Sequence, residues 1–456
     1  MKHILCIASV LGLSPIIIRG KDFVNSASGA PFLIRGITYM PYGNSSVLED
    51  SLANPDICRR DAPVLKKLGV NTIYVKHTAT QEEDHGKCMK IFEDAGIYVL
   101  VNLPETDFSI TNHYTYDIFN IYLEKAIEFS NYTNTLGLIV ASDVSPEYQP
   151  YVKAALRDLR KNMKTRRIPL GYSHTNTYFK KISQVMMGCG EKADFYAVDI
   201  SEDCHYATPD KAATVVKDML RFPGPTFISG FGCTTDSGTP RRFLEASAIF
   251  SNHSGGIVNH YSPKTQLSLV DVQGDAVVVN QEFHNYYTAI HKELNLTDLA
   301  SNHIPLLYEC PENSKVIPPT PNNLTCPCAM QTLRCVASTK ASLGYKFNQT
   351  MAIYSQLCTQ GFCKDTLPVL ERNIYPKYYH CKFLTQLSLA MDAAHASGRK
   401  CDFDGFASPV DVPSSSPECM ALKSFPQTTT KSSSARTAKE KWIIPFLLLL
   451  TTHSQY

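Results

Sequence analysis

Between Phe32 and Ser262 the chain repeats one pattern eight times: a short apolar, β-rich run followed by a segment of helical spacing. The runs are Phe32 to Thr38, Val70 to Lys76, Ile97 to Leu103, Leu136 to Val144, Ile168 to His174, Asp194 to Ser201, Thr226 to Phe231 and Gly256 to Ser262. Between them fall stripes such as Ile57, Val64, Leu65 and Leu68 before Gly69, or Val152, Ala155, Leu156 and Leu159 after Pro150, the spacing of amphipathic helices. Strands this apolar are buried on both faces, and eight βα units over about 240 residues predict a closed (β/α)8 barrel rather than an open doubly wound sheet. Such a barrel acts at the C-terminal ends of its strands, so the residues closing each run are the ones to question. No glycine-rich phosphate loop follows the first run, which argues against nucleotide binding.

The rest of the 456 residues reads as export and anchoring. Lys plus Arg number 44 against 42 Asp plus Glu, so there is no electrostatic case for a nucleic-acid partner. Residues 1–14 have the charged start, apolar run and fading end of a signal peptide. Its removal takes Cys6 and leaves fourteen of fifteen cysteines, an even number suited to disulfides in an oxidising compartment. The barrel is expected over 15–310 and a proline-rich linker over 311–325. A small, mainly helical, disulfide-rich unit follows over 326–420, holding eight cysteines and a helix with Leu384, Leu387, Met391 and Ala394 on one stripe. Zinc is the rival reading of those cysteines, but paired Cys-x-x-Cys units are absent.

Residues 421–434 are Ser/Thr-rich, and 435–456 pass from a polar spacer to nine apolar residues, Trp442 to Leu450. Nine are too few to span a bilayer. Small residues, spacer and short apolar tail form the signal exchanged for a glycosylphosphatidylinositol anchor, expected at Ser432 or Ser433. Asn44, Asn131, Asn252, Asn295, Asn323 and Asn348 each open an Asn-x-Ser/Thr sequon.

The runs that close the fourth and seventh strands, Ser142-Asp143-Val144 and Ser229-Gly230-Phe231-Gly232-Cys233, carry a resemblance. So do Phe32-Leu33-Ile34-Arg35-Gly36, Cys58-Arg59-Arg60-Asp61, Leu68-Gly69-Val70-Asn71-Thr72-Ile73, Asp94-Ala95-Gly96-Ile97-Tyr98-Val99 and Tyr151-Val152-Lys153-Ala154-Ala155. Over nearly its whole length the chain resembles fungal glycoside hydrolase family 72, the cell-wall β-1,3-glucanosyltransferases. Its tail, with Cys326-Pro327-Cys328, Cys335, Cys358, Cys363, Cys381 and Cys401-Asp402-Phe403-Asp404-Gly405, is similar to that family's cysteine-rich module, related to carbohydrate-binding module family 43.

The resemblance implies a barrel that cuts β-1,3-glucan and transfers the new reducing end to another glucan with retention. Retention needs two carboxyls about 5 to 5.5 Å apart, one an acid/base and one a nucleophile. The family supplies them as Asn-Glu-Val and Glu-Tyr-Gly; here the positions read Ser142-Asp143-Val144 and Gly230-Phe231-Gly232. Asp143 keeps the acid/base carboxyl on a shorter stem. Gly230 leaves the nucleophile position vacant, and no glycosyl-enzyme forms on a backbone hydrogen. Tyr74-Val75-Lys76, Asn102, Asp199-Ile200-Ser201 and Met40 also depart from the pattern, while Tyr39, Glu202 and Tyr261 match it; the resemblance implies Tyr39, Ser142, Glu202 and Tyr261 as substrate-binding positions.

By the same resemblance Cys58 pairs with Cys88, Cys204 with Cys233 and Cys189 with Cys310, leaving four bridges for the small unit. No cofactor or metal is implied; His77, His113, His174 and His205 lack an i, i+4 pair and read as surface or loop residues. The reading is a monomeric, membrane-anchored wall protein that keeps contact with β-1,3-glucan and has lost transferase activity. Its alternatives are an active transferase using other carboxylates, with Glu202 and Glu282 nearest in sequence, and a surface adhesin.

Overall fold

The computed structural model describes residues 12–42, 49–79, 84–104, 110, 114–164, 166–175, 186, 190–201, 219, 222–232, 249–250, 254–259, 261, 268–274, 276–291, 316–370, 374–411 and 416–419. The chain divides between Pro318 and Pro319 into two compact units. In the second unit Tyr379 donates its hydroxyl proton to the Pro319 carbonyl (2.6 Å). Pro319, inside the stretch expected as linker, is thus tied to the cysteine-rich unit.

The first unit opens with a hairpin, β1 (Ile16–Arg19) and β2 (Asp22–Asn25), that the sequence reading did not anticipate. Eight parallel strands follow: β3 (Ile34–Thr38), β4 (Thr72–Val75), β5 (Tyr98–Asn102), β6 (Thr135–Ser142), β7 (Leu170–Thr175), β8 (Phe195–Asp199), β9 (Thr226–Phe231) and β10 (Gly255–Val258). They close into a barrel in sequence order, with β10 pairing back to β3. The expected strands and the closed (β/α)8 form are both present, with ends moved by at most four residues and β9 unchanged.

Helices α1 (Pro55–Leu68), α2 (Gly86–Ala95), α3 (Tyr116–Ser130) and α4 (Gln149–Asn162) cover the barrel among the described residues. Helix α1 shows why such segments start and stop. The Asn54 side chain caps the free N–H groups of Asp56 and Ile57, Pro55 takes the first turn, and Gly69 (φ 89°) ends the helix in the left-handed conformation. Cys58 on α1 is bonded to Cys88 on α2. A second hairpin, β11 (Val270–Gln273) and β12 (Ala276–Val279), precedes α5 (Gln281–His291).

The hairpin β1–β2 plugs one mouth of the barrel. Phe23, 1% exposed, packs against Phe195 and Phe227 (ring centroids 5.7 and 6.3 Å), the residues that open or nearly open β8 and β9. Gly171 makes room for that cluster, since a Cβ there would lie 2.0 Å from the Phe195 ring. With the N-terminal mouth filled by aromatic side chains, chemistry is confined to the opposite, C-terminal mouth.

On the barrel wall, His85 is almost wholly buried between Asp50 (Nε2 to Oδ2, 2.7 Å) and Glu128 (Nδ1 to Oε1, 2.5 Å). Burial alone would push its imidazole down, but the two carboxylates more than offset this and raise it to about 9. A raised folded-state value means stability that is complete below the unfolded value of about 6.5 and lost as pH climbs through 9. The chain is expected to lose on the order of 2 to 3 kcal/mol between pH 6 and 10 from this site. Thermal melts of wild type and His85→Gln should converge at high pH; parallel pH profiles would refute the assignment.

The second unit contains α6 (Thr325–Met330), β13 (Cys335–Ala337), α7 (Phe347–Thr359), α8 (Phe383–Ala396) and β14 (Ala407–Pro409). Its eight cysteines form four bridges, Cys326–Cys381, Cys328–Cys419, Cys335–Cys401 and Cys358–Cys363. On α8, Leu387, Met391 and Ala394 are fully buried, whereas Leu384 is 37% exposed because it stands in the first turn, before the helix reaches the core. Cys326, Cys381 and His380 come within 4.8 Å of one another, but the two sulfurs are bonded to each other and offer no thiolate to a metal.

Candidate active site

The C-terminal mouth is built on irregularities in the strands that line it. Pairing of β8 with β9 runs Val198 to Ile228 and then Asp199 to Gly230, skipping Ser229. A bulge of this kind re-aims a side chain, and here it lays Asp199 across Gly230. A Cβ built on Gly230 would lie 2.2 to 2.4 Å from the Asp199 carboxyl atoms. The glycine is thus the condition for Asp199 to sit where it does, and the carboxylate occupies the root of any side chain that position might carry.

Asp199 is held from behind. Its Oδ1 accepts the backbone N–H of Ser201 (2.9 Å) and the Ser201 hydroxyl. Ser201 in turn accepts from the Asn259 amide (2.6 Å), whose oxygen accepts from Thr38 (3.0 Å). This chain crosses from β8 to β10 and β3, three strands that the barrel brings together at one mouth. Both bonds from Ser201 go to one oxygen, and among the described residues nothing donates to the other.

Asp143 follows directly after β6. Its φ of 52° is in the left-handed region, which Asp tolerates better than most residues. Tyr172 fixes the turn, accepting from the Val144 N–H (3.1 Å) and donating to the Val144 carbonyl (3.2 Å). The Asp143 side chain is 49% exposed, its Oδ1 accepts the Thr175 N–H, and His174 Nδ1 stands 3.6 Å away. His174 is therefore not a surface or loop residue as expected from sequence: it lies on β7, 2% exposed, with its ring against Tyr172.

Tyr74, on β4, is buried and feels the charge of both carboxylates. Burial holds its phenol well above the ordinary range, the Ser142 hydroxyl works against that shift, and the charges of Asp199 and Asp143 add to it. Lys76 lies over the same ring at 5.8 Å. Ser142 also donates weakly to Asn102 (3.4 Å), and Ser173 and Ser229 share a hydrogen bond (3.0 Å). The mouth thus carries two carboxylates, a cation and the polar side chains of Ser142 and Asn102, a set suited to a polyhydroxylated ligand, while Tyr74, Ser173 and Ser229 are buried beneath it.

Tyr39 and Tyr261, read as substrate-binding, are 0% and 1% exposed, with ring centroids 5.4 Å apart. The Tyr39 hydroxyl donates to buried Asp61 (2.9 Å). In this unliganded structure both rings support the strand ends from within and present no face to a sugar. Glu202 lies outside the described residues, as do Cys189, Cys204, Cys233, Cys310, Asn44, Asn252, Asn295, His113, His205, Ser432 and Ser433. Asn131, Asn323 and Asn348 are exposed. Glu282 stands in the first turn of α5.

The comparison with known proteins decides the setting of this mouth. A family model described as Glucanosyltransferase, glycoside hydrolase family 72, matches residues 6–293. The chain belongs to the glucanosyltransferase family. It is 34% identical over 321 residues to the 1,3-beta-glucanosyltransferase PGA4 of Candida albicans, covering 65% of this chain and 70% of that one. It is 29% identical over 436 residues to the 1,3-beta-glucanosyltransferase GAS2 of Saccharomyces cerevisiae, covering 84% and 77%. The solved structure of Saccharomyces cerevisiae Gas2p in complex with laminaripentaose superposes with a TM-score of 0.73 at 28% identity, covering 87% of this chain and 97% of that one. The family's fold is therefore kept over both units, and the two positions that depart most from its pattern, Asp143 and Gly230, stand at the same mouth as Asp199.

Proposed function

We propose that this chain is a wall-associated β-1,3-glucan-binding member of the glucanosyltransferase family that no longer performs retaining transfer. One observation carries the reading: at Gly230 there is no side chain, and the space where one would begin is taken by the Asp199 carboxylate. A covalent glycosyl intermediate needs a nucleophile that reaches the anomeric carbon. Asp199 is short, turned back over the strand and tied to Ser201, so it does not extend as that nucleophile must. Glucan contact is supported by the laminaripentaose complex of the yeast relative and by the polar groups of Lys76 and Asn102 at the strand ends, although both depart from the family's letters. The test is incubation with reduced laminari-oligosaccharides beside a β-1,3-glucan pull-down. Retention on glucan without longer products is expected, and robust elongation by the unaltered chain overturns the proposal.

The reading places the mature chain outside the cell as a monomer, from residue 15 to an anchor at Ser432 or Ser433. The order of small residues, spacer and nine-residue apolar tail supports this. Phosphatidylinositol-specific phospholipase is expected to release the protein from membranes. Finding the Trp442 to Leu450 peptide in the mature chain by mass spectrometry would contradict it.

A further inference from the structure

The most exposed large apolar side chain among the described residues lies in the cysteine-rich unit. Tyr345 is 80% exposed, and Phe347 (54%) and Leu343 (40%) stand beside it in sequence. Single exposed apolar residues need no explanation; three within five positions call for one. Phe347 is partly engaged, its ring 6.0 Å from that of Phe383, and Lys346 Nζ lies 5.5 Å from the Tyr345 ring centre, which leaves most of that ring open. The chain carries the means of covering it at the same place. Asn348-Gln349-Thr350 is an Asn-x-Thr glycan acceptor, and Asn348 is exposed. A 3-10 turn, Gly344–Lys346, runs directly into α7, so the backbone coils without a break from Gly344 onward. Residues three apart on such a coil share a face, with Cβ atoms about 5 to 6 Å apart. Tyr345 and Asn348 are three apart. A pyranose ring has a face lined by C–H bonds, and that face leaves water for an aromatic ring as other apolar surface does.

We infer that Asn348 carries an N-linked glycan whose first sugar covers the Tyr345 ring, so that the exposed patch is closed by the protein's own modification. The inference rests on the export reading proposed above. In the step, Asn348 Nδ2 bonds to C1 of the first N-acetylglucosamine of a lipid-pyrophosphate-linked oligosaccharide. The bond from C1 to the pyrophosphate oxygen breaks at the same time, and the displaced amide proton leaves with the lipid pyrophosphate. Thr350, the third residue of the acceptor, packs inward: it is 0% exposed, and its hydroxyl donates to the Ala341 and Lys346 carbonyls (3.3 and 3.1 Å). The sequon is therefore read before the helix closes over Thr350. Its removal has to be made at Asn348, where the side chain is exposed, because a change at Thr350 would also open the core.

The experiment uses the full mature chain secreted by a glycosylating eukaryotic host. Peptide mass spectrometry reads occupancy at Asn348, and tetranitromethane, which nitrates accessible tyrosines, reads the cover. A glycan at Asn348 is expected, with Tyr345 nitrated about fivefold more slowly than in Asn348→Gln, the drop that follows when an 80% exposed ring becomes mostly buried. Stripping the whole glycan from the folded wild-type protein with peptide N-glycosidase should remove the protection without any substitution. Trimming it to the first N-acetylglucosamine with endoglycosidase H should keep the protection. Asn323→Gln removes a sequon of the same unit that has no exposed aromatic or branched aliphatic residue within four positions, and it should leave Tyr345 nitration unchanged. Occupancy at Asn348 with Tyr345 nitrated as fast as in Asn348→Gln overturns the inference, as does loss of protection on trimming. An empty Asn348 beside other occupied sequons also overturns it and leaves the export reading standing. No glycan at any sequon overturns it as well, and takes the export reading with it if residues 1–14 are still attached.

Discussion

Gly230→Glu, the substitution that restores the family's nucleophile letter, is expected to leave elongation of laminari-oligosaccharides at background and to destabilise the barrel. The new Cβ would lie 2.2 to 2.4 Å from the Asp199 carboxyl, well inside contact distance, so either Asp199 leaves its bonds to Ser201 or β9 moves. Overpacking of this kind costs about 1 to 3 kcal/mol. Gly230→Ala isolates this effect, because it adds the Cβ and no charge; a melting temperature equal to wild type would show that the space is not contested. The glutamate adds a second penalty. Two carboxylates forced together cannot both stay ionised cheaply, and the one that takes up a proton is no longer a nucleophile. Replacing the competing carboxylate by Asp199→Ala should relieve both the overlap and the charge penalty. Asp143→Glu then supplies the missing methylene to the acid, where a 1 Å misplacement alone can cost about a hundredfold. Only the triple variant is expected to yield longer products, detected by mass-resolved chromatography. Transfer by Gly230→Glu alone would mean that Asp199 is displaced without cost.

The sequence made the barrel legible because βα alternation is a local, periodic signal: a buried strand such as Val99 to Val101 and a capped helix such as α1 announce themselves in a few residues. The Asp143 and Gly230 departures were legible for a different reason, being single letters inside well-matched runs. What was not legible was their consequence in space. Asp199 is visible in the sequence as a changed letter at the end of its strand, but its contact with Gly230 depends on a one-residue slip between β8 and β9, and register irregularities leave no mark in composition. The hairpin Ile16–Asn25 was missed because its two four-residue strands are too short for a period to show and follow directly on the signal-like start. Tyr39 and Tyr261 matched the family letter by letter, yet letters do not say whether a ring faces ligand or core. His174 looked like a loop histidine because its strand extends to Thr175, one residue past the expected end.

Reduction is expected to unfold the cysteine-rich unit while the barrel remains folded. That unit has a core cluster of a dozen buried residues, chiefly from α7, α8 and β13, seven of them half-cystines or small alanines and none of them tryptophan. Domains of this size rarely gain more than a few kcal/mol from apolar burial alone. Its bridges span 55, 91, 66 and 5 residues. Under the chain-entropy account the three long loops each restrict the unfolded ensemble by about 4 kcal/mol, with Cys328–Cys419 the largest, while the five-residue loop of Cys358–Cys363 contributes least. Loss of any long bridge is therefore comparable to the whole stability of the unit, and Cys358→Ser with Cys363→Ser should be the mildest double substitution. The barrel depends less on disulfides, because its strands bury apolar residues on both faces along their full length. Limited proteolysis in rising dithiothreitol, read by mass spectrometry, should show cleavage confined first to residues beyond Pro319. Protection of that region under full reduction, or cleavage of the barrel before it, would show that packing and not the bridges holds the small unit together.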